Sequence, residues 1–275
     1  MTATALQARY GEQAPALSLP DLPALDAMLS HRSVRHFLRD ALPAHTLETL
    51  VAAAQSAPTS SNLQTWSVIA VESQERREQL AHLVGPQKHL AVAPLVLVWL
   101  ADLSRIERLG QLQGRDPVGL HYLDTFLMGV IDAALAAQNA VVAAEAMGLG
   151  TVYVGGMRNQ PEAVAQVLGT PPNVFPVFGL VVGHPDPARP AAVKPRLPQS
   201  AVLHREQYQV PADLYQEIGD YNANLRAFMR THGMKEVDWS AQVVERLGSP
   251  EALTGRHRLY EALRTAGFTY KDIEG

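Results

Sequence analysis

DAALAAQNAVVAAEAMGLGTVYVGGMRN, residues 132–159, decides the fold. Its first half continues an apolar, alanine-rich stretch that starts at Leu120, so the spacing predicts one long helix over residues 120–147. Asp124, Asp132, Gln138, Asn139 and Glu145 interrupt that stretch, and charged groups are costly at bilayer depth. The segment therefore reads as the buried helix of a globular core and not as a membrane span. Gly148 and Gly150 stop the helix, residues 151–154 form a short strand, and Gly155-Gly156 turns the chain. Position 153 is Tyr, so the glycines do not extend to G-x-G-x-x-G and no dinucleotide fingerprint is present.

Working outward, helix and strand patterns alternate, which argues for an α/β or α+β core. Asp21 and Pro23 mark the start of a short helix that ends near Ser30. Leu47, Leu50, Val51 and Ala54 recur at helical spacing, so residues 44–56 form an amphipathic helix that stops before Pro58. Residues 67–71 and 95–101 read as central strands with a helix at 74–84 between them, and a further strand covers 177–183. A connector with five prolines follows at residues 185–198. Beyond it, residues 214–231 and 250–266 are predicted helices, with Trp239 near their connection. The division expected from this pattern is an N-terminal extension at 1–20, a core with an arm at 21–208, and a helical tail at 209–275.

Composition excludes several classes of function. The 275 residues are 47% hydrophobic and 18% charged, with 19 Gly and 19 Pro, which suits neither collagen, coiled coil nor wholesale disorder. Lys and Arg total 23 against 27 Asp and Glu, a net charge of −4, so there is no footprint for duplex nucleic acid. The absence of cysteine removes disulfides, thiolate catalysis, Fe–S clusters and thiolate zinc sites together. Any redox role then needs a bound cofactor. Residues 1–20 lack the apolar core of a secretory signal, so the cytoplasm is the expected compartment, with no membrane partner. P-loop, zincin and serine-hydrolase signatures are missing, and His82 and His89 have no carboxylates at ligand spacing. No metal site is expected.

Four stretches carry side chains suited to binding. His31-Arg32-Ser33-Val34-Arg35-His36-Phe37 places two guanidinia, a hydroxyl and two imidazoles at a helix-to-loop junction, which suits a phosphate or makes a solvated basic turn. Lys194-Pro195-Arg196 spaces two cations across a proline in extended chain, so they point the same way, onto one anion or along a charged linker. The chain has only four lysines, Lys88, Lys194, Lys235 and Lys271. Thr59 to Gln64 offers hydroxyls and amides either to the edge of a heteroaromatic ring or as an ordinary loop. At Gly155-Gly156 the backbone N–H groups are open to a flat ligand, unless the pair is only a tight turn.

Taken in order, HRSVRHF, the helix to PTSSNLQ, GPQKH at residues 85–89, the quoted stretch and KPRLP resemble the FMN-dependent nitroreductase superfamily, in its NADPH-type oxygen-insensitive nitroreductase and flavin reductase branch. The resemblance covers roughly two thirds of the chain. It implies an α+β fold with a central mixed sheet flanked by helices, in an intertwined homodimer that holds FMN. His31, Arg32, Ser33 and Arg35 match the N-terminal FMN motif, and Thr59 and Ser61 match the hydroxyl loop. Gln87 falls at the pyrimidine edge, and Tyr153, Val154, Gly155 and Gly156 lie under the ring, where a glycine N–H reaches N5. Lys194 and Arg196 complete the phosphate and ribityl side. Gln64, Arg158 and Arg230 fall to the substrate and nicotinamide, Arg230 as the expected contact to the 2′-phosphate of NADPH.

The implied activity is NADPH- or NADH-driven reduction of small flat aromatic acceptors such as nitroaromatics, quinones or flavins, by two-electron ping-pong transfer. The redox step belongs to the cofactor, so no catalytic acid or base is assigned. A flavin reductase serving a partner and a non-enzymatic flavin-binding sensor are the alternatives.

Overall fold

The computed structural model describes residues 2–17, 19–20 and 22–271. In chain order its first helices are α1 (Thr2–Tyr10), α2 (Pro23–Leu29), α3 (Thr46–Gln55), α4 (Gln74–Leu83), α5 (Lys88–Val92) and α6 (Ser104–Leu112). They are followed by α7 (Leu123–Ala146), α8 (Pro161–Leu168), α9 (Leu214–Thr231), α10 (Trp239–Arg246) and α11 (Leu259–Thr265). The strands are β1 (Trp66–Val71), β2 (Leu95–Asp102), β3 (Gly150–Val154) and β4 (Val174–Gly183). By contacts the chain forms two compact units, residues 1–32 with 192–253, and residues 33–191 with 254–275.

The second unit is built on a four-stranded sheet of order β1-β2-β4-β3. All eight residues of β2 are buried. For residues 95–101 this follows from an uninterrupted apolar run, since a strand covered on both faces does not alternate; the last residue, Asp102, is buried with its carboxylate accepting from the Ser67 and Ser104 hydroxyls at 2.5 and 2.7 Å. Val96, Val98 and Leu100 pack on one face with Leu80, Leu90 and Met157. Leu95, Leu97 and Trp99 pack on the other with Leu50 of α3 and Ala133, Ala136, Ala137 and Ala140 of α7. The alanine stripe lets α7 lie close to the sheet. By length and composition α7 would cross a membrane, yet here it is the central core helix and carries Asp132 into the interior at 1% exposure.

The α+β class is as the sequence predicts. The expected mixed pairing is confined to an isolated parallel bridge between Ser33 and Thr151; the four strands themselves pair antiparallel. Three local readings change. β4 starts three residues before the predicted 177, because the register slips between Trp99 and Leu100, opposite Phe178 and Pro176. That irregularity accommodates a proline in a central strand, where it otherwise breaks the ladder. The helix predicted over 250–266 is broken, with 3₁₀ turns at Glu251–Leu253 and Arg256–Arg258 before α11. Thr254 and Gly255 between them have φ of 54° and 92°. Residues read as part of a tail then give Leu263, Phe268 and Tyr270 to a core cluster with Phe126 and Phe175. Finally, Pro23 opens α2 behind Leu22; Asp21, the expected cap, lies outside the described residues.

The first unit packs around Tyr221, Leu225 and Met229 of α9, with Leu197, Phe228 and Trp239 against them. Tyr221 and Trp239 meet edge to face at 5.6 Å. The Asn222 amide donates to the Ser240 hydroxyl at 2.8 Å and ties α9 to α10. Asn224 donates to the Tyr10 carbonyl at 3.3 Å, so the N-terminal segment is part of this unit.

Candidate functional site

In the second unit, the turn that follows β3 is held by its backbone. A Cβ on Gly156 would sit 2.5 Å from the Val84 carbonyl oxygen. Only glycine permits that approach, which presses the turn against the segment that leads from α4 to Gln87. Asn159 fastens the same junction by donating to the Val84 carbonyl at 3.1 Å. Gly155, Gly156, Arg158 and the Gly85–Gln87 stretch, two separate motifs in the sequence, are thereby brought together.

Two guanidinia face Gly155. A Cβ there would lie 3.4 Å from a terminal nitrogen of Arg158 and 3.7 Å from both terminal nitrogens of Arg256. Arg158 is anchored by donation to the Val177 carbonyl, and burial lowers its pKa. Arg256 donates from Nε to the Asn159 side-chain oxygen at 2.9 Å. Sequence reasoning did not single out Arg256; the one trace of it was a glycine inside an apparent helix, followed by Arg-His-Arg. Tyr153 donates to Gln138 at 3.3 Å and is 39% exposed, with burial of its hydroxyl raising its pKa.

The Thr59–Gln64 loop is strained and exposed. Ser61, Asn62 and Gln64 have φ of 48°, 56° and 53°, a conformation that costs a non-glycine residue on the order of 1 kcal/mol or more. Asp132 supplies the restraint. Its carboxylate accepts from Ser60 N at 3.1 Å, Thr65 N at 3.1 Å and the Thr65 hydroxyl at 2.8 Å. Arg105 caps the Gln64 carbonyl at 2.7 Å. A loop held in this way presents Thr59, Ser61 and Gln64 in fixed positions.

Ser33 and Arg35 flank Val34, whose N–H donates to the Thr151 carbonyl at 2.9 Å. Val34 is buried and Arg35 exposed. Arg35 and His36 also help to lower the pKa of His89, although burial is the larger cause, and together they bring it to about 4. His89 is thus neutral near pH 7, with its Nε2 buried and unpartnered among the described residues.

In the first unit, His31 and Arg32 close the helix-to-loop junction after α2, and Lys194 and Arg196 stand exposed on either side of buried Pro195. Tyr221 donates to the Pro195 carbonyl at 3.3 Å and fixes that alternation. Among the described residues, Arg32 and Arg196 meet carbonyls and no carboxylate. Arg230 differs: both its Nε and Nη2 donate to Glu236 at 2.9 Å.

Taken by itself, each unit has donors of a kind that suits part of an anionic, flat cofactor such as FMN. The second unit offers a side-chain-free turn faced by two guanidinia. In the first, the exposed Arg32 and Arg196 meet carbonyls and no carboxylate among the described residues, which leaves charge for an anion.

Comparison with known proteins agrees. The signature described as "Nitroreductase family" matches residues 28–97 and 84–184, and "Nitroreductase family, C-terminal domain" matches 194–271. The chain is 40% identical to an FMN reductase (NADPH) of Bacillus subtilis, over 80% of this chain and 89% of that one. It is 39% identical to an oxygen-insensitive NADPH nitroreductase of Salmonella typhimurium, over 77% and 84% of the two chains. The solved structure of the B. subtilis nitroreductase NfrA1 superposes with a TM-score of 0.83 at 37% identity, covering 89% of this chain and 98% of its own.

Proposed function

The chain belongs to the nitroreductase family, and from that premise we propose that it is an FMN-dependent oxidoreductase using NADPH or NADH to reduce nitroaromatics, quinones or free flavins. When bound, FMN supplies the two-electron chemistry, with hydride taken from the nicotinamide and electrons passed on to the acceptor. The observation that carries this reading is the pair of guanidinia, Arg158 and Arg256, facing the Gly155 turn.

The protein's part is to bind and to stabilise charge. In the second unit, Ser33, Arg35, Thr59, Ser61 and Gln87 offer polar contacts, and the backbone from Tyr153 to Gly156 offers a flat seat. Partly desolvated guanidinia there favour a ring that gains negative charge on reduction. Gln64 and Arg158 would meet the incoming substrate. In the first unit, His31, Arg32, Lys194 and Arg196 supply cations for the phosphate and ribityl chain.

We also propose a homodimer of this chain. Leu127, Ile131 and Leu135 of α7 lie four residues apart on one helix face and are 47%, 56% and 42% exposed. Such a stripe on a core helix suits burial by a second copy. The test is spectroscopic and kinetic. The purified protein should be yellow and bleach under anaerobic NADPH, and it should turn over nitrofurazone and a quinone. Turnover confined to free flavin would make it a flavin reductase only. A bound flavin that NADPH and NADH leave oxidised would make it a binding protein.

A further inference from the structure

Arg9 lies in α1, ahead of the family-matched region that begins at residue 28. It is 7% exposed. Its guanidinium donates to three carbonyls, Leu29 at 2.9 Å, His31 at 3.0 Å and Lys194 at 3.0 Å. Its own carbonyl accepts from Arg196 N at 2.8 Å, and Arg196 Nη1 shares the Lys194 carbonyl at 3.2 Å. One side chain thus ties the segment that bears His31 and Arg32 to the segment that bears Lys194 and Arg196.

Burying a guanidinium is costly unless its donors are satisfied, and an apolar residue would fill the same space at lower cost if packing alone were needed. The planar fork of donors, by contrast, suits the bridging of several fixed acceptors. It holds both cationic segments in one geometry and offsets the negative ends of three carbonyl dipoles near them. We infer that Arg9 is a positioning residue that assembles these two segments into one anion site and so sets how tightly the chain holds the phosphate of its flavin. The inference rests on the proposed FMN function.

The test titrates apoprotein with FMN and with riboflavin, which lacks the phosphate, following flavin fluorescence. Arg9→Met should weaken FMN about ten-fold, the scale of a few lost positioning hydrogen bonds, while riboflavin stays within about two-fold. Arg9→Lys keeps the charge but not the fork, and should fall between wild type and Arg9→Met for FMN only. Equal losses for both flavins, or FMN affinity within about two-fold of wild type, would overturn the inference. If near-ultraviolet circular dichroism shows Arg9→Met unfolded, Arg9→Lys decides alone: a loss for FMN without one for riboflavin supports positioning, and no difference overturns it. Wild-type apoprotein that binds neither flavin would instead sink the FMN reading, and this inference with it.

Discussion

The Asn159 side-chain oxygen accepts from Arg256 Nε at 2.9 Å, and this bond helps to hold a C-terminal guanidinium at the Gly155 turn. The Gly255 backbone makes it possible: with φ of 92°, a Cβ there would lie 2.4 Å from the Asn159 carbonyl oxygen. Gly255→Ala should therefore push residues 254–258 off the turn, at a cost of about 2 kcal/mol or more. Misplacing Arg256 should lower kcat/KM with nitrofurazone about ten-fold or more. Urea unfolding and steady-state kinetics check both; a variant matching wild type in each would show that the contact is incidental.

Asp132 should prove to be the organiser of the Thr59–Gln64 loop. Asp132→Ala leaves Ser60 N, Thr65 N and the Thr65 hydroxyl without their acceptor, and a buried unsatisfied donor costs about 1–3 kcal/mol. The urea midpoint should fall accordingly, and amide exchange of residues 60–65 should accelerate more than that of β2. Uniform acceleration across the sheet would argue that the substitution only loosens the core.

Much of this architecture was legible in the sequence. The strand read at 95–101 from its apolar, β-branched run ends one residue short of observed β2, and the helix at 120–147 differs from observed α7 by only a few residues at each end. What could not be read depends on partners distant in the chain. The Arg9–Lys194 contact spans 185 positions and the Arg256–Asn159 contact 97, and no periodicity reports either. Pro176 concealed the start of β4, because only the slip opposite Leu100 explains a proline there. Asp132 was visible as a break in hydropathy, but its loop partners were not.

Stability should fall in mild acid through His89. Its folded pKa, about 4, lies below the ordinary value near 6.5, so the unfolded chain binds the extra proton first. The contribution is complete above about pH 6.5 and is lost as pH falls toward 4, amounting at most to about 3 kcal/mol. His89→Leu should flatten the difference between urea midpoints at pH 5 and pH 7.5. If the variant keeps the full wild-type difference, the acid sensitivity comes from other groups.

The coenzyme preference should be set against Glu236. Arg230 is the expected contact for the 2′-phosphate of NADPH, yet its Nε and Nη2 both donate to Glu236 at 2.9 Å. This pairing raises the Arg230 pKa and lowers that of Glu236. Both side chains are well exposed, Arg230 at 68% and Glu236 at 36%, so solvent and salt weaken the pair and a phosphate can compete for the guanidinium. Neighbouring Arg226 is likewise paired, with Asp238, but is less exposed, at 39%. Glu236→Gln removes the competing charge and should raise the ratio of kcat/KM for NADPH over NADH about two- to five-fold, the scale of an exposed ion pair. Arg230→Ala should lower the same ratio, with little change for NADH. Opposite movements in the two variants assign the 2′-phosphate to Arg230; ratios that stay at the wild-type value in both remove it from that role.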